Sequence, residues 1–246
     1  MRDPDRPRTR MWPWVAVCVV VAAVVATLVV PKALAGHRKV LVIGDSLSAQ
    51  STPAFDADLQ AKGFTPEVHA LSGTGLLDTQ TNWAALAAEL VKSFDPDVVS
   101  VEFIGNYGLF GERPGVAPHS PQFYAAWAQA AQQLENVLTS RGAQVYWVIG
   151  PPVAQAQGEQ ELVQLDHIYE SLHAPDTPSG HPLTIDEVTP FSAPGGGYTG
   201  SVPDPGGAPV PVRAPDGTHF TQAGFERFAA VVTQTIAHGP TRSTFP

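Results

Sequence analysis

The ten residues Lys39–Ser48, KVLVIGDSLS, decide the architecture. Lys39–Ile43 is an apolar run rich in β-branched residues with no polar alternation, which describes a strand covered on both faces. It stops at Gly44, and a helix follows. Thr52 is placed to act as its N-cap, Pro53 suits the first helical position, and Gly63 can close it. A strand covered on both faces suits a parallel sheet flanked by helices.

The same alternation continues along the chain. Glu67–Leu71 resembles a second strand and Asn82–Phe94 a helix with Trp83, Leu86, Leu90 and Val91 near helical spacing. Asp97–Ile104 is a third strand, Pro121–Ser140 a long helix, and Gln144–Ile149 a fourth strand stopped by Gly150-Pro151-Pro152. Gly158–His173 reads as a helix and Leu183–Val188 as a weak fifth strand. The final helix carries Phe225, Phe228, Ala229, Val232 and Ile236 on one face. Phe220 and Phe225 fit a hydrophobic staple around Thr221, and His238-Gly239-Pro240 ends it. Strands and helices in this order predict one doubly wound α/β domain over residues 39–239. Ser171–Pro215 interrupts it with 10 of the 24 prolines and 7 of the 22 glycines. Tyr198, Val210 and Val212 give this stretch something to bury, so it is expected as an ordered, loop-rich insertion over the site rather than a disordered linker.

The net charge of −9 hides a split. Arg2, Arg6, Arg8 and Arg10 precede Met11–Val30, twenty residues without a charge, whereas residues 36–246 hold 9 basic and 21 acidic side chains. An acidic body argues against a nucleic-acid partner. A basic segment followed by an apolar one is the order of an export signal. Residues 1–10 are then a cytoplasmic basic region, 11–30 a signal-peptide core or a transmembrane anchor, and 31–38 a stalk. Ala33-Leu34-Ala35 offers a cleavage site after Ala35. Two outcomes stay open, secretion after cleavage or retention as a membrane-anchored protein; the length of the apolar stretch favours retention. Cys18, the single cysteine, lies inside it, so the body has no disulfide framework.

Chemistry is concentrated at element ends. Ser46 follows the first strand, where ligands gather in an open parallel sheet. Asp216-Gly217-Thr218-His219 stands just before the last helix. A hydroxyl is a weak nucleophile until an imidazole takes its proton, and the imidazole needs a carboxylate to fix its tautomer. Acyl transfer also needs donors for the developing oxyanion. Leu71-Ser72-Gly73-Thr74-Gly75 offers a backbone N–H, and Ile104-Gly105-Asn106-Tyr107 a side-chain amide. Each fragment alone can be turn punctuation: Asp45 and Ser46 are common turn caps, and a surface Asp and His would explain the D-x-x-H. Their joint order carries the case. The other seven histidines have no comparable context, and no His or Cys spacing suggests a metal site.

That order resembles the SGNH hydrolase superfamily, the GDSL-type esterases. Gly44-Asp45-Ser46-Leu47 is similar to the first block, Ser72-Gly73 to the second, Asn106 to the asparagine of the third, and Asp216-Gly217-Thr218-His219-Phe220-Thr221 with Gly224 to the last. The third block departs from the family's G-x-N-D: Gly105 directly precedes Asn106, and Tyr107 takes the Asp position. The resemblance implies a three-layer α/β/α, flavodoxin-like fold with a five-stranded parallel sheet and ester hydrolysis without a cofactor. Ser46, Asp216 and His219 would be catalytic, and Ser46, Gly73 and Asn106 the oxyanion hole, with Gly75 in reserve for Gly73. The proline- and glycine-rich lead-in to the last block, with ten Arg against four Lys, is similar to exported members of high-GC bacteria.

The sequence thus predicts an exported serine esterase acting on O-acetyl or other short-chain esters, by analogy on cell-envelope polysaccharide or glycolipid. An O-acyltransferase using the same acyl-enzyme and a catalytically idle glycan-binding module are the alternatives.

Overall fold

The computed structural model describes residues 38–239. The leader, anchor and cleavage expectations for residues 1–37 lie outside the described residues. Among the described residues, no helix is long and apolar enough to cross a membrane.

The strands are β1 (Lys39–Gly44), β2 (Thr65–Ala70), β3 (Val98–Glu102), β4 (Gln144–Ile149) and β5 (Leu183–Asp186). They form one parallel sheet in the order β2-β1-β3-β4-β5. The helices are α1 (Ser46–Ala61), α2 (Trp83–Phe94), α3 (Pro121–Thr139), α4 (Ala156–Ser171) and α5 (Gln222–His238). The chain leaves β1 first toward β2 and then returns to the other side as β3. The switch point therefore falls between β1 and β3, where such sheets bind ligands.

Alternation within β1 divides the core. Val40 and Val42 face α1 and α5 through Phe55, Leu59, Phe228 and Val232. Leu41 and Ile43 face α2, α3 and α4 through Leu90, Trp127 and Leu165. Both layers exclude water, which is why the strand shows no polar alternation. Each buried Leu, Ile or Phe contributes about 1.5–3 kcal/mol relative to exposure. Trp127 donates its indole N–H to the Tyr169 hydroxyl at 3.0 Å, and that hydroxyl donates to the Phe103 carbonyl at 2.8 Å. The two bonds satisfy the polar atoms that these large rings carry into the core.

The start of the first helix differs from the sequence expectation. Asp45, not Thr52, is the N-cap, and Pro53 lies inside α1. Proline removes the N–H that would bond the Ala49 carbonyl. The Thr52 hydroxyl donates to that carbonyl at 3.0 Å instead, so the helix continues through the proline. The consequence is functional: the first helical residue is Ser46 itself.

Residues 171–215 contain β5, a 3-10 turn at Thr189–Phe191, and an antiparallel hairpin of β6 (Ser201–Pro203) and β7 (Pro209–Pro211). Val202 and Val212 are buried against Phe191 and Phe220. Val210 is only partly buried, and Tyr198 is exposed rather than part of a core.

Candidate active site

Ser46 stands at the first turn of α1, directly after β1. Its N–H has no intrahelical acceptor at that position, and the helix's positive end faces whatever binds there. The side chain of Asp45 closes the turn beneath it, accepting from Leu47 N at 3.2 Å.

The last block meets Ser46 from across the chain. His219 Nε2 lies 3.1 Å from Ser46 Oγ, and His219 Nδ1 lies 2.7 Å from Asp216 Oδ2. Asp216 Oδ1 accepts the backbone N–H groups of Thr218 and His219, each at 2.9 Å. The Thr218 N–H first, and then the His219 ring, hold the Asp216 carboxyl down at about 2. An ionised carboxylate only accepts, so the proton of the ring sits on Nδ1 and Nε2 is left to accept from the serine hydroxyl. The turn depends on Gly217 at φ 73°, where a Cβ would also sit 2.3 Å from Ala154 Cβ.

The oxyanion candidates lie on the neighbouring loops. Thr74 N bonds Leu71 O at 3.2 Å, a turn whose third residue is Gly73 at φ 77°, the positive-φ position that a type II turn requires. Gly75, the reserve donor, is buried, and a Cβ there would come within 1.9 Å of the Asn106 carbonyl oxygen. Its small size lets the two loops touch. Asn106 follows β3 and donates from Nδ2 to Asp45 Oδ2 at 2.9 Å. The same oxygen accepts Ile104 N at 3.0 Å. One amide hydrogen of Asn106 is thus fixed, and the other is left for a ligand.

Asp45 is therefore more than a turn cap. It is fully buried and ties the nucleophile turn to the Asn106 loop. Glu102 packs beneath it and accepts from Ser48 N at 3.2 Å and Ser48 Oγ at 2.7 Å. Burial first, and the Asp45 charge second, push the Glu102 carboxyl well above the usual range. Burial raises Asp45 as well, but the backbone N–H groups of Ile104 and Leu47 favour its ionised form. Of the two carboxyls, Glu102 is thus the one held further toward its neutral form.

Three further contacts surround the site. Arg213, nearly buried, donates to Thr218 O at 2.6 Å and Pro152 O at 2.7 Å and lies 4.6 Å over the Phe220 ring. It fastens the insertion to the Asp216–His219 turn, and burial lowers its guanidinium to about 10. Tyr107, in the family's Asp position, accepts Arg113 N at 2.8 Å and donates to Val116 O at 2.9 Å, so it organises the following loop. His119, at φ 58°, contacts the Glu161 carboxylate. Glu161 lines a cavity of about 180 Å³ with Asn106, Val153, Leu162 and Thr218. Sequence reading missed Asp45's reach, Glu102, Arg213 and Glu161, because nothing local signals partners tens of residues away.

A family model described as "Protein of unknown function (DUF459)" matches residues 39–235. Among solved structures, the chain is similar to TesA at 20% identity, covering 81% of this chain and 98% of that one, with a TM-score of 0.55. It is similar to the acetyl xylan esterase AlAXEase at 16% identity, covering 80% and 99%, with a TM-score of 0.57. It is also similar to the lipopolysaccharide acetyltransferase periplasmic domain of Salmonella ser. Paratyphi A at 15% identity, covering 82% and 84%, with a TM-score of 0.55. At these identities the likeness establishes the fold, that of the SGNH hydrolases. No curated protein matches the sequence.

Proposed function

We propose that this chain, which belongs to the DUF459 family, is an exported serine esterase working through an acyl-enzyme on Ser46. The supporting observation is the unbroken relay from Asp216 through His219 to Ser46 Oγ, with bonds of 2.7 and 3.1 Å. His219 Nε2 takes the serine proton as Oγ attacks the ester carbonyl. The oxyanion is received by the N–H groups of Ser46 and Gly73 and by the free amide hydrogen of Asn106. His219 returns the proton to the leaving alcohol. Water, deprotonated by the same nitrogen, then releases the acid and regenerates the serine.

The Asp216 and His219 side chains are 52% and 37% exposed, so water reaches the base that must activate it. That favours hydrolysis over transfer to a sugar hydroxyl, the second reading, which shares its acyl-enzyme. The assembled relay likewise speaks against an idle binding module. Fold similarity to acetyl xylan esterase and lipopolysaccharide acetyltransferase domains supports acylated carbohydrate of the envelope as substrate. Export rests on the Arg-rich start followed by residues 11–30. N-terminal sequencing of the mature protein will show a start at Gly36 if the leader is cleaved, and an intact leader if it is an anchor.

The activity test is p-nitrophenyl acetate hydrolysis. Ser46→Ala is expected to lower turnover by roughly 10³-fold or more with the fold intact. Equal turnover in variant and wild type would remove Ser46 from the mechanism.

A further inference from the structure

On the α2–α3 side of the Gly73 loop lies a cavity of about 470 Å³, the size of a small-molecule site. Its wall includes Asp78, Trp83 and Arg113, with Gln129 and Gln133 one helical turn apart on α3. Two residues of that wall carry unpaired polar atoms just behind it. Asp78 is 9% exposed and Trp83 is 3% exposed, yet Asp78 Oδ2 and the Trp83 indole N–H have no hydrogen-bond partner among the described residues. Neither atom is open to solvent where it stands, and buried unpaired groups cost about 1–3 kcal/mol each, which favours a turn of either side chain toward a ligand in the cavity. One is an acceptor and the other a donor.

The remaining chemistry narrows the ligand. Arg113 donates from Nε to Leu77 O at 3.1 Å and from Nη2 to Leu76 O at 3.4 Å, so it is fixed in place. Its charge and that of Asp78 balance, which disfavours both anions and cations. Side-chain amides, which both donate and accept, supply the rim. A neutral molecule with many hydroxyls, each able to donate and accept, matches this set.

The position fits a polymer. Gln80 and Thr81 line this cavity and also a shallower groove with Leu71, Ser72, Thr74 and Phe110. Phe110 also packs against Gly73, with ring carbons 3.3 and 3.8 Å from where a Cβ would lie. Asp78 lies five positions after Gly73 in the chain, a reach of at most about 18 Å. We infer that the Asp78–Trp83–Gln133 cavity is a subsite for a neutral glycan chain whose acyl ester lies at Ser46. This rests on the esterase reading for the ester, but not for the binding.

The test uses the full-length chain. Unacetylated xylohexaose, mannohexaose and maltohexaose are titrated against Ser46→Ala by calorimetry, and then against the same protein carrying Gln129→Ala, Gln133→Ala and Asp78→Asn. Asn keeps the Oδ1 acceptor that bonds Gln80 N at 2.9 Å and replaces the unpaired acceptor with a donor. At least one glycan is expected to bind, with affinity falling roughly tenfold or more in the substituted protein. The substitutions in a Ser46 background should also raise KM for the matching acetylated oligosaccharide by a similar factor while p-nitrophenyl acetate turnover stays unchanged. The inference is overturned if no glycan binds, if the substituted protein binds as tightly, or if turnover of both esters falls together. A wild type inert toward both esters would overturn the esterase reading alone, since the titrations still decide the subsite.

Discussion

The Ser46 end and the Asp216–His219 end of this site are built by opposite means. Asp45 is 0% exposed and Ser46 6% exposed, with the buried Glu102 carboxyl packed beneath their turn. Asp216 is exposed and His219 half-buried, both shaped by a four-residue turn and by Arg213 behind it. The contrast suits the work proposed for each end. A developing oxyanion is best met by donors that cannot move and that water does not shield. A base that takes a proton from serine and later from water must be reachable by water. Burial therefore organises one end, and local backbone bonds organise the other.

Substitutions can break this division. Asp216→Asn keeps an acceptor for the Thr218 and His219 N–H groups but loses the charge that supports the imidazolium. Turnover should fall by roughly 10²–10⁴, while urea denaturation shifts by less than about 1 kcal/mol. Asp45→Asn should act on both quantities. Its new NH₂ would face either Leu47 N or the Ile104 and Asn106 donors, leaving N–H opposed to N–H. Turnover is expected to drop about tenfold or more and stability by about 1–3 kcal/mol. A stable Asp45→Asn protein with normal kinetics would mean that burial is not what positions Asn106.

Arg213→Met should be smaller in rate. Removing the guanidinium strands the Thr218 and Pro152 carbonyls, so stability should fall by about 1–3 kcal/mol. The catalytic turn, still tied by the Ala214 N to His219 O bond of 2.8 Å, should lose only severalfold in kcat.

The gentlest probe is pH. Burial raises Glu135, bonded by the Trp147 indole N–H at 2.8 Å, to about 7. Burial raises Asp166 to about 7 too. A carboxyl raised in the folded state keeps its proton after the unfolded chain has released it. Its stabilising contribution is complete below the ordinary carboxylate range and is lost as pH climbs toward 7. Stability measured by urea should thus be greater near pH 5 than near pH 7.5, and Glu135→Gln should remove on the order of 2 kcal/mol of that fall. Asp216 works in the other direction: its contribution is present above the ordinary Asp range and lost only as pH falls through about 2.

How much of this was legible in the sequence depends on the range of the forces involved. Strands β1, β3 and β4 are apolar runs buried on both faces, and their composition states as much. The helix start at Ser46 was not legible, because Thr52-Pro53 is a better local cap and only the Thr52 hydroxyl bond makes an internal Pro53 tolerable. Asp216 and His219 were legible as a pair because they are three residues apart. Asp45's partners Ile104 and Asn106 lie 59 and 61 residues away, so the sequence showed a turn residue where the fold has a crosslink. Arg213 was hidden among prolines and glycines for the same reason. Tyr198 looked like core material by type alone, and its place on the surface is a matter of packing that no local pattern records.

The proposed chemistry requires His219 to make Ser46 nucleophilic. Treating the full-length chain with a fluorophosphonate and weighing it intact tests this directly. One adduct per chain is expected, mapped by peptide mass to Ser46, and its formation should slow by roughly 10²-fold or more in His219→Ala. An unlabelled folded protein, or labelling at Ser46 that proceeds equally fast without His219, would contradict the account.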